Sequence, residues 1–178
     1  VKGLLQLKEH FDEEILEAYQ SLKPYSYKCD LMRHLIMLQE GGWYSDIRQV
    51  CLQPVETLEK VGKEYYTSVD CPPNQMCMYT AFIGSVPKHP ISKKMVDILL
   101  WNVKQRHYGL DCLCPTGPGA FMNAAIDYVR AHQEKCMLGQ HTSEEYIEFG
   151  GVKFVKCKYN NARGADNTDM KGTNDYGD

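Results

Sequence analysis

The sequence predicts an α/β domain built on a largely parallel sheet, and three observations carry that prediction. Short aromatic or β-branched runs alternate with amphipathic stretches of about fifteen residues. The helical stretches close on proline or glycine signals. The segment from Lys28 to Arg48 then sets two helix-borne charges beside a carboxylate at a strand end. At 178 residues the chain reads as a single domain, 1–178, without internal repeats.

The elements follow in order. His10 to Leu22 has a helical pattern, with Phe11, Ile15, Leu16 and Tyr19 on one side. Asp12, Glu13 and Glu14 suit the positive end of its dipole, and Pro24 ends it. Ser26 is the expected N-cap of a second helix running to Gln39 or Glu40, with Leu31, Leu35 and Leu38 toward the core. Gly41-Gly42 supplies the left-handed residue that closes it. Trp43 to Ser45 reads as a short strand, and Tyr65 to Val69 and Met78 to Val86 as two more, separated by a turn at 71–74. His89-Pro90 opens a long helix to about His107, with Ile91, Met95, Ile98, Leu99 and Val103 inward. Asp111 to Thr116 is loop, and Pro118 starts a helix through about Gln133. Tyr146 to Lys156 is a hairpin turning at Gly150-Gly151, and 159–178 is an irregular C-terminal loop.

Composition narrows the function classes. A 43% hydrophobic and 24% charged chain with net charge -3 offers no nucleic-acid footprint. No apolar run approaches the roughly 18–20 residues of a membrane span, and no secretory leader is predicted. A cytoplasmic location is expected, with the Golgi lumen as the alternative for an excised catalytic domain. The chain opens on Val1 and is read as a piece truncated at both ends. Its eight cysteines lack paired CxxC knuckles and read as reduced thiols, with Cys112/Cys114 and Cys71/Cys77 the weaker zinc alternative.

Asp30 and Arg33 lie three apart and share a helix face. On spacing alone they are a solvated ion pair. Asp46, after the glycine stop and the aromatic strand, shifts the weight, because a carboxylate at a strand's carboxyl end points into the binding crevice of an open sheet. Phosphate-loop and dinucleotide glycine motifs are absent from the sequence, as are HxH and HExxH spacings. Thr116-Gly-Pro-Gly119 reads either as a phosphate- or sugar-facing turn or as a simple helix start.

Asp-x-x-Arg, a hydrophobic helix and then Gly-Gly-x-Tyr-x-Asp resemble the signature of DXD-type sugar transferases. These include initiating mannosyltransferases, α-1,4-glycosyltransferases, capsular polysaccharide enzymes and glucosylating toxin domains. The matching residues are Asp30, Arg33, Gly41, Gly42, Tyr44 and Asp46. Ala81-Phe-Ile-Gly-Ser85 with His89-Pro90, Tyr108-Gly109 with Thr116-Gly-Pro-Gly119, and Gly172-Thr-Asn-Asp-Tyr176 extend the resemblance over about 11–178.

The resemblance implies a GT-A-like, Rossmann-related domain whose N-terminal strand is missing here. It implies a hexosyltransferase that uses a UDP- or GDP-sugar, retains anomeric configuration and builds glycan or polysaccharide on a carbohydrate acceptor. Asp30 and Arg33 would grip donor-sugar hydroxyls, with Tyr44, Thr116, Gly117, Asn174 and Asp175 also binding substrate. Asp46 and Arg48 would be catalytic, Asp46 on the ribose or a metal.

The sequence departs from the signature at Arg48, where the second aspartate is replaced by a cation. That removes a hard oxygen ligand for Mn²⁺ or Mg²⁺. In one reading Arg48 takes over part of the metal's charge at the leaving diphosphate, helped by Lys28, Arg163 or Lys171. In another the ion stays on Asp46 with Asp169 or Asp175. In a third the site is a non-catalytic sugar-nucleotide or glycan-binding module.

Overall fold

A computed structural model describes residues 11–47, 49–70 and 77–157. Helix α1, Glu13–Ser21, starts where the Asp12 carboxylate accepts the Ile15 N–H at 3.2 Å, with Glu13 and Glu14 in its first turn. Helix α2, Tyr25–Gln39, begins directly after Pro24, which occupies the cap position in extended geometry. Ser26, expected as the cap, therefore lies inside the first turn. Proline's fixed φ sets the start of this helix, and no side chain caps it.

Gly41 closes α2 at φ +65, and a Cβ there would sit 2.6 Å from the Ser85 carbonyl oxygen. Glycine is demanded twice at that position, by backbone sign and by space. Strands β1 (Gly42–Ser45) and β2 (Gln49–Cys51), the short helix α3 (Glu56–Glu59), β3 (Tyr65–Val69) and β4 (Phe82–Ser85) follow. Then come α4 (Pro90–Gln105), α5 (Pro118–Ala131), β5 (Cys136–His141), β6 (Tyr146–Phe149) and β7 (Val152–Cys157).

The seven described strands form one sheet in the order β1-β4-β3-β5-β6-β7-β2. Only β3 and β5 run parallel among them, with Tyr65 opposite Cys136 and Val69 opposite Gln140. The remaining pairs are antiparallel. The α/β class holds; the largely parallel sheet does not. Parallel neighbours need a helical crossover, and the connection from β3 to β5, which passes through β4, contains α4 and α5. The other strands return by hairpins or along edges, and β5 and β2 give no alternating pattern strong enough to read from sequence.

β1 and β2 are consecutive in the chain yet occupy opposite ends of the strand order. The sheet must curl to bring them together, and the Asp46–Gln49 link spans the two edges. Ser45 Oγ donates to Gln49 Oε1 at 2.7 Å across that seam. The curl separates two apolar cores. Leu31, Leu35, Ile83, Met95, Leu99 and Phe121 pack between the helices and one sheet face. Tyr66, Phe82, Phe149, Phe154 and Val155 fill the inside of the curl. Both faces of β3 are thus covered, so its Tyr-Tyr-Thr-Ser run is wholly buried.

Helix α4 starts at His89, whose Nδ1 accepts the Ile91 N–H at 3.2 Å, and ends at Arg106 in the left-handed conformation. No described helix is long and apolar enough to cross a membrane.

Candidate active site

Helix α2 turns Asp30 and Arg33 inward rather than toward solvent, at 0% and 8% exposure. The solvated-pair alternative is thereby excluded. The Arg33 guanidinium is shared. Nη2 lies 3.3 Å from Asp30 Oδ1, and Nη1 lies 3.6 Å from Asp46 Oδ1 while donating to the Thr80 carbonyl at 2.8 Å. The group also lies over the Tyr44 ring, 4.8 Å from its centroid. Tyr44 donates its hydroxyl to Asp46 Oδ1 at 2.6 Å. Burial pushes the Tyr44 phenol well above its ordinary pKa, so it stays a donor. Thr116 Oγ1 ends the chain of contacts by donating to Asp30 Oδ2 at 2.9 Å.

Asp30, Arg33, Tyr44, Asp46 and Thr116 therefore converge, drawn from α2, β1 with its following residue, and the loop before α5. Two carboxylates around one guanidinium make this part of the site net anionic. Such a cluster is suited to hydrogen-bond donors, as sugar hydroxyls are, and not to a phosphate. Gly117 caps α5. Of the Thr116–Gly119 turn, the Gly119 N–H is already donated to Leu113 O at 3.2 Å, which favours the plain helix-start reading there. Asp111 accepts from the Leu113 N–H at 2.8 Å and fastens the loop. Arg48, Asn174 and Asp175, with Asp169, Arg163 and Lys171, lie outside the described residues.

Several residues escaped the sequence reading. Tyr27, one turn before Asp30, donates to the Cys112 carbonyl at 3.0 Å, and buried Asn102 donates to the Pro115 carbonyl at 2.8 Å. Together they pin the loop that carries Thr116. Asn102 carried a signal, since it is a polar residue on the inward face set by Met95 and Leu99. His34 is fully buried against Phe121, with ring centroids 5.1 Å apart, and burial with Arg33 beside it pushes its pKa down to about 3. It is a neutral packing group.

A second polar cluster lies at the carboxyl ends of the parallel pair β3 and β5. His141 Nδ1 is 2.8 Å from Asp70 Oδ1. Tyr79 lies against His141 with the rings inclined by 46°, donates to Cys157 Sγ at 3.1 Å and accepts from Gln49 Nε2 at 2.9 Å. Burial opposes charge on His141, but its bonds to Asp70 and Cys157 prevail and push its pKa up to about 9.

Among the described residues no group of three or more His, Cys, Asp or Glu side chains is placed to hold a metal ion. The two side chains shown in contact with Asp46, the Tyr44 phenol and the Arg33 guanidinium, are not hard oxygen-anion ligands for a divalent cation. The seven described cysteines are free thiols.

The proteins that this fold and cluster are similar to are glycosyltransferases. Residues 2–67 match the family model described as glycosyltransferase sugar-binding region containing DXD motif. Over 86 residues, 48% of the chain, it is 33% identical to an uncharacterized glycosyltransferase of Acanthamoeba polyphaga mimivirus, covering 34% of that protein. It is 26% identical over 149 residues to the initiation-specific alpha-1,6-mannosyltransferase of Candida albicans, covering 65% of this chain and 38% of the relative. The chain thus spans little more than a third of the curated relatives it matches. Among solved structures it is similar to the PaToxG glycosyltransferase, with TM-score 0.54, 20% identity, and 74% of this chain and 45% of that one covered. That last likeness shows the fold, and it supports the GT-A-like expectation.

Proposed function

We propose that the chain is the sugar-gripping region of a glycosyltransferase that moves a hexose from a UDP- or GDP-sugar to a hydroxyl of a carbohydrate acceptor, with retention. The observation that carries this reading is the convergence of buried Asp30, Arg33 and Thr116 with the partly exposed Asp46 at the seam of a curled sheet. Thr116 and Arg33 hold the Asp30 carboxylate at a fixed angle and shut from solvent in this conformation, so the donor sugar must open a path on entry for its hydroxyls to donate to Asp30. Asp46, steadied by Tyr44, meets the ribose. Negative charge accumulates on the leaving diphosphate in the transition state and demands a cation there. The Arg33 guanidinium is occupied by carboxylates, so that task falls to Arg48, whose planar fork suits phosphate oxygens. The leaving phosphate oxygen takes the acceptor proton as the new bond forms on the same face. That step requires no protein base, and none stands out among the described residues of the cluster.

A panel of UDP- and GDP-hexoses tested for slow donor hydrolysis decides the matter. The expected result is turnover of one nucleotide class that survives exhaustive chelation. Complete loss restored by Mn²⁺ would reject the role given to Arg48 and return the ion to Asp46 with Asp169 or Asp175. Arg48 also favours a second reading, a binding module without turnover. Calorimetric binding of a nucleotide sugar with no hydrolysis would establish it.

A further inference from the structure

A second concavity, of about 390 Å³, lies between α4, α5 and the loop that joins them. Trp101 forms one wall at 55% exposure, with the His107 ring 5.5 Å away and inclined by 57°. Asn102, Asn123, Gly109 and Leu110, with Ile98 and Cys114, line the rest. Its described lining contains no Asp, Glu, Lys or Arg. Such a surface has nothing to hold a phosphate, a nucleotide or a charged peptide. It offers flat aromatic faces for C–H surfaces and amides for hydroxyls. The volume is that of small-ligand sites, roughly 300–1,000 Å³.

The walls are preformed. Arg106 stands at φ 52, and the His107 N–H is donated to Asn102 O at 2.8 Å. Gly109 has φ +70, and a Cβ there would meet Cys114 Cβ at 2.3 Å, so the loop closes too tightly for any other residue. The cleft is also tied to the Asp30 cluster through hydrogen bonds of the intervening loop. Asn102 lines it and holds the Pro115 carbonyl, and the next residue, Thr116, donates to Asp30. A ligand seated against Trp101 therefore lies one loop away from the transferring sugar.

We propose that this cleft is a subsite for a neutral oligosaccharide, holding a part of the acceptor away from the hydroxyl that reacts. The assignment to the acceptor rests on the glycosyl-transfer reading above. One pyranose packs its C–H face on the Trp101 indole beside His107, and Asn123 with the Asn102 oxygen receives its hydroxyls.

The chain has two tryptophans, so each indole N–H signal can be followed by ¹⁵N NMR. Trp43 serves as internal reference because its Nε1 is tied to Glu59 at 2.9 Å. Maltotriose, mannotriose, N-acetylchitotriose and lactose are titrated to tens of millimolar. The expected result is a saturable shift at Trp101 with at least one of them, Trp43 unmoved, and no Trp101 shift with UDP or GDP. Trp101→Ala then weakens binding of that sugar at least tenfold by calorimetry, at an unchanged melting temperature. No Trp101 response to any of the four, or equal binding by Trp101→Ala, would overturn the proposal. A Trp101 response in a chain that binds no nucleotide sugar would sink the transfer reading while leaving the saccharide cleft in place.

Discussion

Among the described residues, two carboxylate–cation clusters lie largely shielded from solvent, and they are held by different kinds of cation. At the seam, Asp30 and Asp46 share Arg33, a permanent charge with a planar fork. At the ends of β3 and β5, Asp70 is paired with His141, a cation that pH can discharge. The first arrangement keeps its geometry across the physiological range. The second makes the fold, rather than the site, sensitive to alkali. The carboxylates to which sugar contact is assigned in the proposed function are thus tied to arginine, while a strand-end fastener tolerates histidine.

Arg33→Met breaks that contrast most severely. It leaves Asp30 buried without its guanidinium, a loss of about 3–5 kcal/mol by analogy with other broken buried pairs. Urea denaturation should show the midpoint falling sharply, and Arg33→Lys should recover only part because a point charge cannot replace the fork. Asp30→Asn keeps the volume and removes the charge. Donor-sugar turnover should fall at least a hundredfold, since an interaction with a charged partner is lost at the sugar itself (about 3 kcal/mol).

A smaller effect is expected at Asn102. Asn102→Ala leaves the Pro115 carbonyl without its donor, costing about 1–3 kcal/mol of stability, and lets Thr116 drift from Asp30. If Asn102 acts on the site through Thr116, its effect on nucleotide-sugar affinity and that of Thr116→Val should not add in a double-mutant cycle. Full additivity would separate the two residues.

The mildest change is pH dependence at His141. Its pKa in the folded chain, about 9, exceeds the ordinary 6.5, so the stabilisation is complete below pH 6.5 and is lost as pH rises through 9. His34 and His89 act the other way. Burial lowers them to about 3 and about 4, so their contribution is present above pH 6.5 and drains away as pH falls toward 4. Melting temperatures should therefore decline on both sides of neutrality, and His141→Gln should flatten the alkaline limb alone.

What the sequence disclosed follows from which signals are local. The glycine stop at Gly41, the proline starts of α4 and α5 and the hairpin at Gly150-Gly151 depend on a few adjacent residues, and each appears where expected. The i,i+3 spacing of Asp30 and Arg33 placed them on one face, but only packing turned that face inward. Strand direction was not legible, because alternation of strands and helices does not say which strands pair. β5, with Gly139 pressed against the Glu148 carbonyl oxygen, lacks the residues that mark a strand. The fasteners Tyr27 and Asn102 act on backbone carbonyls far along the chain, and motif spacing carries no trace of such contacts.

Isothermal calorimetry of nucleotide sugars against the matching nucleotides, with wild-type chain and Asp30→Asn, tests the shared grip most directly. The predicted result is tighter binding of one nucleotide sugar than of its nucleotide, with that increment abolished in Asp30→Asn and nucleotide affinity kept. An increment that survives the substitution, or no increment for any UDP- or GDP-hexose, would contradict the placement of the sugar on Asp30, Arg33, Asp46 and Thr116.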